Sequence, residues 1–309
     1  MTVNAPRRFS ADHGLTARML VTVFLLGLLY VAFVAVLISL GVSTVLVIVI
    51  AGGLLFTQYW FSDRIALYAM GGRVVTPEQA PQLHGVIDRL CALSGAPKPA
   101  VAVADVDVPN AFATGRSPRR AVVCVTTGLL RRLDTDELEG VLSHELSHVA
   151  HRDVAVMTVA SFLGVLAGLI TRFGLYSGMF GGFGRSRDDD EDNGALVVLV
   201  VVLASTVVYV LSFLLTRALS RYRELAADRS GAMLTGRPST LASALVKITG
   251  EMSRIPSRDL RAAEPFNAFF FAPAAAGGFS LSSLFSTHPP LDTRLTQLAR
   301  LSAELGEAR

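Results

Sequence analysis

Two histidines four residues apart, His144 and His148, bracket a glutamate in the run Ser143-His144-Glu145-Leu146-Ser147-His148. On a helix, residues i and i+4 share a face, so both imidazoles can reach one ion. Glu145 projects near that ion without having to ligate it, where it can act as general base toward water. This is the donor pattern of a metal-assisted hydrolase, and the ion it suits is zinc. A hydrolytic zinc site takes three protein ligands and keeps one position open, so a third donor has to come from elsewhere. A further histidine six residues after His148, with glycine at 151, is excluded because the chain has His151 and Val154. The best candidate is Glu224, in the run Arg223-Glu224-Leu225-Ala226-Ala227-Asp228. Asp228 lies one helical turn further on and can orient a ligating histidine as an acceptor.

The elements that must position these residues belong to a membrane chain. Of 309 residues, 51% are hydrophobic and 17% charged, with a mean hydropathy of +0.50; soluble domains carry about 25% charged residues. The net charge of +3 comes without a basic tract interleaved with aromatics, which argues against nucleic acid as a partner. Cys91 and Cys124 have neither a CxxC nor a metal-type spacing, and fit reduced packing residues on a cytoplasmic side.

Four apolar runs follow a polar tail, 1–17. Met19–Leu40 is long enough to cross a bilayer and too long for a signal h-region. After a turn near Gly41-Val42-Ser43 comes Thr44–Phe61, with Tyr59 and Trp60 at headgroup level and Asp63-Arg64 at the exit. Val154–Ile170 is the shortest run, and Ala195–Leu215 leads into Arg217. Between these two lies Arg172–Gly194, whose acidic end, Asp188–Asp192, reads as a solvated extracytoplasmic linker. Four crossings put both termini and residues 62–153 on one side. The arginines gather there, which makes it the cytoplasm. The expected organisation is therefore a tail and transmembrane hairpin over 1–70, a first cytoplasmic part over 71–153, a second helix pair over 154–216 and a second cytoplasmic part over 217–309.

Within the cytoplasmic parts, Thr76 and Pro77 read as the start of a helix running to about Leu93. Val101–Asp105 and Ala121–Thr126 read as strands, with Gly115-Arg116-Ser117-Pro118 as the turn between them. Asp134 or Thr135 caps the helix that carries His144 and His148. That helix points at the third apolar run, with His148 about 9 Å along the axis from Val154. Helices are also expected over Arg217–Leu234, Pro238–Met252 and from about Asp292, with 253–286 irregular between the last two.

The combination of His144-Glu145-Leu146-Ser147-His148, Arg223–Asp228, Asn110-Ala111-Phe112 and His288-Pro289 resembles the HtpX-like zinc metalloproteases, membrane relatives of the CAAX prenyl endopeptidases. The likeness covers most of the chain from about residue 60. It implies a mainly α membrane protein with four transmembrane helices and a cytoplasmic gluzincin-type zinc peptidase domain containing a small β-sheet. It implies one Zn2+ per chain on His144, His148 and Glu224, with Glu145 as the general base and Asp228 behind a ligand. Asn110, Ala111 and Phe112 would line the substrate cleft, where an extended peptide could add as an edge strand. His288 and Arg294 would stabilise the oxyanion. The implied partners are protein or peptide substrates, chiefly membrane proteins, and the lipid bilayer; the implied place is the plasma membrane, multi-pass, with the site facing the cytoplasm. The alternatives are a CAAX-type prenyl-protein endopeptidase and a non-enzymatic scaffold with a structural zinc.

Overall fold

The computed structural model describes residues 13–39, scattered positions between 45 and 68, and residues 70–180, 191–254 and 288–306. The acidic run up to Asp190, the irregular segment 255–287 and most of the second apolar run lie outside them. The chain divides into two compact units, one of Trp60–Ala155 and Ser220–Arg309 with the N-terminal tail, the other of Arg18–Tyr59 and Val156–Leu219.

In the first unit, the strand residues alternate between two faces, as a pleated sheet requires. Val101, Val123 and Val125 point into the main core, whereas Ala102, Ala104, Phe112 and Cys124 face a second, smaller core completed by Met70 and Leu67. The sheet has four strands: β1 (Gly72–Val74), β2 (Ala100–Ala104), β3 (Ala111–Thr114) and β4 (Val122–Thr126), in the order β1-β2-β4-β3. β2 and β4 are parallel, while β1 and β3 run antiparallel to their neighbours. The expected turn at Gly115–Pro118 therefore joins β3 to β4. The two strands foreseen from sequence cannot share a tight turn because they run parallel. β1 was not foreseen.

Helix α1 (His13–Ser39) belongs largely to the second unit, and α2 (Pro81–Ser94) packs under the sheet. α2 starts at Pro81 rather than Thr76. A helix begun at Pro77 would place Pro81 inside it, with no N–H to donate and its ring against the carbonyl four residues back. Residues 76–80 form a turn instead, held by the Thr76 N–H donating to Gln79 Oε1 at 2.9 Å. The short α3 (Thr127–Arg132) is capped by Thr126, whose hydroxyl accepts from the Leu129 N–H at 3.2 Å.

The central helix is α4 (Thr135–Ala150), buried from Glu137 to Val149. Its start is fixed by a capping box between Asp134 and Glu137. The Glu137 carboxylate also receives Lys247 Nζ at 2.6 Å and Ser243 Oγ at 2.8 Å, both from α7 (Pro238–Arg254). Gly140 lets α7 approach closely: a Cβ there would lie 3.1 Å from the Leu241 nitrogen. α8 (Leu291–Leu305) closes the core with Leu298 and Leu301.

The second unit is built from α1, α5 (Asp153–Phe180) beyond Val156, and α6 (Glu191–Thr235) up to Leu219. Phe33, Leu37, Ala167 and Val208 form one of its cores. Gly164 and Gly168, four residues apart on α5, bring the α6 residues Ser212 and Tyr209 to within 3.1 and 3.2 Å of where a Cβ would stand. Small residues at that spacing are how helices pack closely in lipid. Outward positions such as Phe24, Val31, Leu203 and Val207 are exposed. Among the described residues two helices, Thr16–Ser39 and Leu199–Thr235, are long and apolar enough to cross a membrane, and Val156–Arg172 is a shorter apolar stretch.

Candidate metal centre

α4 presents His144 and His148 on one face, their ring centroids 4.7 Å apart and nearly perpendicular. The facing element is the last part of α6, which brings Glu224. Nε2 of His144 and Nε2 of His148 are 3.1 Å apart. Glu224 Oε2 is 3.7 Å from the first, and Oε1 is 3.4 Å from the second. Two ligands at 2.0–2.1 Å from a tetrahedral ion stand about 3.3–3.4 Å apart, and the three separations bracket that value, the two to Glu224 running to different carboxylate oxygens. All three are buried.

The histidines are also turned the right way. His144 Nδ1 lies 2.8 Å from Asp228 Oδ1, and His148 Nδ1 lies 2.6 Å from Asp153 Oδ2. An ionised carboxylate can only accept, so each Nδ1 carries the hydrogen and each Nε2 is left for the ion. Each carboxylate is in turn held by an arginine. Arg294 donates to Asp228 from both Nε and Nη2 at 2.7 Å, and Arg223 Nη2 stands 3.0 Å from Asp153.

Burial and charge set the protonation states of these groups. Burial lowers the His144 pKa. At His148 burial works against the charge, but Asp153 and Glu224 outweigh it and push the pKa up to about 10. Glu224 lies well below the usual carboxylate range, because His288 and His148 overcome its desolvation. Glu145 goes the other way: burial raises it to about 7. Its Oε2 accepts from the backbone N–H of Ala113 on β3 at 2.9 Å.

That bond ties the carboxylate to the outer strand of the sheet. Asn110 O accepts from the Thr126 N–H at 2.9 Å, so Asn110, Phe112 and Thr114 bond toward β4, and Ala111 and Ala113 present their backbone groups to the open side. Asn110 is fully buried, and its own N–H goes to Thr126 Oγ1 at 2.9 Å. Phe112 packs into the smaller core. At that edge the backbone N–H of Ala113 is the group that meets Glu145.

His288 and Arg294 both reach the centre, through its carboxylates. His288 Nδ1 is 2.9 Å from Glu224 Oε2, and Arg294 Nη1 is 3.9 Å from the same oxygen. His151 is the exposed residue after α4, outside the cluster. Cys91 and Cys124 are free thiols in the two cores.

Sequence reasoning missed three contributors. Asp153 was visible only as a polar residue before an apolar run, although an acid five residues after the second histidine was the available signal. Ala113 acts through its backbone and leaves no mark. Gly231 is the third: a Cβ there would stand 2.8 Å from the His144 nitrogen and 2.9 Å from Ser143 Oγ. Only glycine lets α6 approach α4 closely enough to bring Glu224 and Asp228 to the histidines.

The model of peptidase family M48 matches residues 77–302. The chain is 64% identical to protease HtpX homolog 1 of Streptomyces coelicolor over 301 residues, 97% of each chain. It is 54% identical to a protease HtpX homolog of Moorella thermoacetica over 304 residues, 98% of this chain and 99% of that one. In structure it resembles the crystal structure of S. mikatae Ste24p, with a TM-score of 0.51, 17% identity, and coverage of 93% of this chain and 67% of that chain. At that identity the likeness bears on the fold alone.

Proposed function

The chain belongs to peptidase family M48, and from that premise we propose that it is a zinc endopeptidase of the plasma membrane that cleaves misfolded or membrane-associated proteins. That it is a metallopeptidase of the membrane follows from the family and its HtpX relatives. Zinc, the residue roles, the cytoplasmic side, the four crossings and the substrate class are part of the proposal. The observation that carries it is the convergence of His144 Nε2, His148 Nε2 and the Glu224 carboxylate within 3.1–3.7 Å, next to a separate carboxylate, Glu145.

In this reading His144, His148 and Glu224 hold one zinc ion, which when bound acidifies water and polarises the scissile carbonyl. Glu145 takes the proton from the attacking water and passes it to the leaving amine. The backbone N–H of Ala113 holds Glu145 in place until an extended peptide pairs with the β3 edge. Asp228 and Asp153 fix the histidine rings, and Arg294 and Arg223 fix the carboxylates. His288 steadies Glu224 and stands near the place where an oxyanion would develop. The structural-zinc alternative is disfavoured because the described cluster offers three donors, whereas structural sites use four.

Chelator-stripped protein in detergent should lose casein hydrolysis and regain it with one equivalent of zinc per chain. Hydrolysis that persists once elemental analysis finds no metal would overturn the reading.

A further inference from the structure

The β3–β4 connection does something the catalytic reading does not require. Between Val108 and Leu133 the chain has no acidic residue but five arginines. Arg131 and Arg132 are paired with Asp107. The other three, Arg116, Arg119 and Arg120, occupy the tip between β3 and β4, where Pro118–Arg120 forms a 3-10 turn. Arg119 and Arg120 are exposed, and among the described residues neither is in an ion pair. The Arg116 guanidinium lies 3.8 Å from the centroid of the Trp60 ring, a cation–π contact.

Trp60 gives the tip its direction. No charged residue occurs between Arg18 and Asp63, and Trp60 stands three positions before Asp63. Tryptophan at the end of an uncharged apolar run settles at the headgroup level of a bilayer. Trp60 and the β3–β4 tip belong to the same compact unit, so whatever depth Trp60 takes, the tip takes with it.

We infer that Arg116, Arg119 and Arg120, anchored on Trp60, form a binding surface for the phosphate headgroups of anionic phospholipid. The inference rests on the reading of the second apolar run as membrane-spanning. Guanidinium groups suit phosphate because their planar fork matches its oxygens. An anionic surface attracts each nearby arginine by about 1 kcal/mol, roughly fivefold in local lipid preference. The consequence reaches the catalytic centre. Arg116 is two residues from Thr114, the last residue of β3, and β3 is the strand whose Ala113 N–H meets Glu145. Headgroups bound at the tip hold the substrate-pairing edge at the membrane surface, where unfolded segments leave the bilayer.

Trp60 is the chain's only tryptophan, so its fluorescence reports this surface alone. The full chain is placed in nanodiscs holding a fixed minority of phosphatidylglycerol in phosphatidylcholine, with bromine on one lipid or the other. Brominated phosphatidylglycerol should quench Trp60 as though enriched about fivefold or more over its mole fraction. The enrichment should fall with added salt, and it should vanish in the Arg119→Glu/Arg120→Glu double variant. Chelator-sensitive casein hydrolysis by that variant should stay within about twofold of wild type, since neither residue touches the metal cluster. If the double variant fails to fold, Arg119→Gln with Arg120→Gln and the wild-type salt titration carry the test. Quenching that follows mole fraction in the wild type, or an enrichment that survives charge removal, overturns the inference. The fluorescence needs no catalysis, so failure of the peptidase reading would show separately, as casein hydrolysis that chelator does not stop. Burial of Trp60 in the hydrocarbon with equal quenching by both lipids would mark failure of the membrane placement.

Discussion

Asp153 Oδ2 lies 2.6 Å from His148 Nδ1, although the two residues belong to successive helices. The chain makes this possible at Arg152, a non-glycine residue with φ of 57° that breaks α4 from α5 and turns the Asp153 carboxylate back onto the histidine. The left-handed region costs a residue with a Cβ roughly 1–2 kcal/mol. Here it is held in place by the bonds of Asp153 to His148 and Arg223. His144 has the same arrangement with Asp228 and Arg294, built from helices far apart in sequence.

Replacing Asp153 with alanine should therefore weaken zinc binding by about 10–100-fold, the usual effect of removing a carboxylate behind a ligating histidine. Competition with a chromophoric chelator measures it. Asp153→Asn, which still accepts from Nδ1, should recover part of the loss. An unchanged affinity in the alanine variant would mean that His148 does not depend on Asp153.

Metal uptake should release protons. In the metal-free protein His148 has a pKa near 10, because Asp153 and Glu224 outweigh its burial. The ring is therefore charged at pH 7–9, and the ion must displace its Nε2 proton. Apparent zinc affinity should rise about tenfold per pH unit toward 10 and flatten above it. Calorimetry at pH 8 in two buffers of different ionisation enthalpy counts the protons. Zero proton release would contradict the assignment of His148.

Arg294 offers a choice between two roles. Its Nε and Nη2 are committed to Asp228, so Arg294→Ala leaves that buried carboxylate with the His144 ring but without its cation, at a cost of about 3–5 kcal/mol in stability. Arg294→Lys keeps the charge and loses the fork, and should lower both the melting temperature and the zinc affinity. A lysine variant with normal stability and metal binding but a reduced kcat would instead place the residue on the substrate oxyanion.

Gly231→Ala tests how closely α6 must approach α4. A methyl group 2.8 Å from a backbone nitrogen has to push one helix away, which costs about 1–3 kcal/mol. Zinc affinity should fall along with stability, since Glu224 and Asp228 lie on the displaced helix. A loss of stability with undiminished zinc affinity would separate the packing from the metal cluster.

The helix that carries His144 and His148 was legible because its signals are local. Asp134 and Glu137 mark its start, and two histidines at helical spacing share a face without reference to the rest of the chain. Glu224 and Asp228 required an assumption about which later helix returns, and the one-turn spacing between them supported it. Asp153 was hidden because its position depends on a left-handed residue that is not glycine. β1 has three residues and no alternation, and β3 is Ala-Phe-Ala-Thr, short of the β-branched residues that mark strands. Asn110 and Phe112 came from resemblance alone, because nothing in the local spacing of Asn110-Ala111-Phe112 marks a strand beside Glu145.

The most direct measurement concerns Glu145, whose carboxylate accepts from the edge strand at the Ala113 N–H and which the proposal makes the general base. In Glu145→Gln protein, zinc content by elemental analysis and cleavage of a membrane-anchored unfolded substrate are measured on the same sample. One zinc per chain with cleavage reduced at least about a hundredfold is the expected result, the loss of a general base. Full zinc content with near-wild-type cleavage would contradict the account.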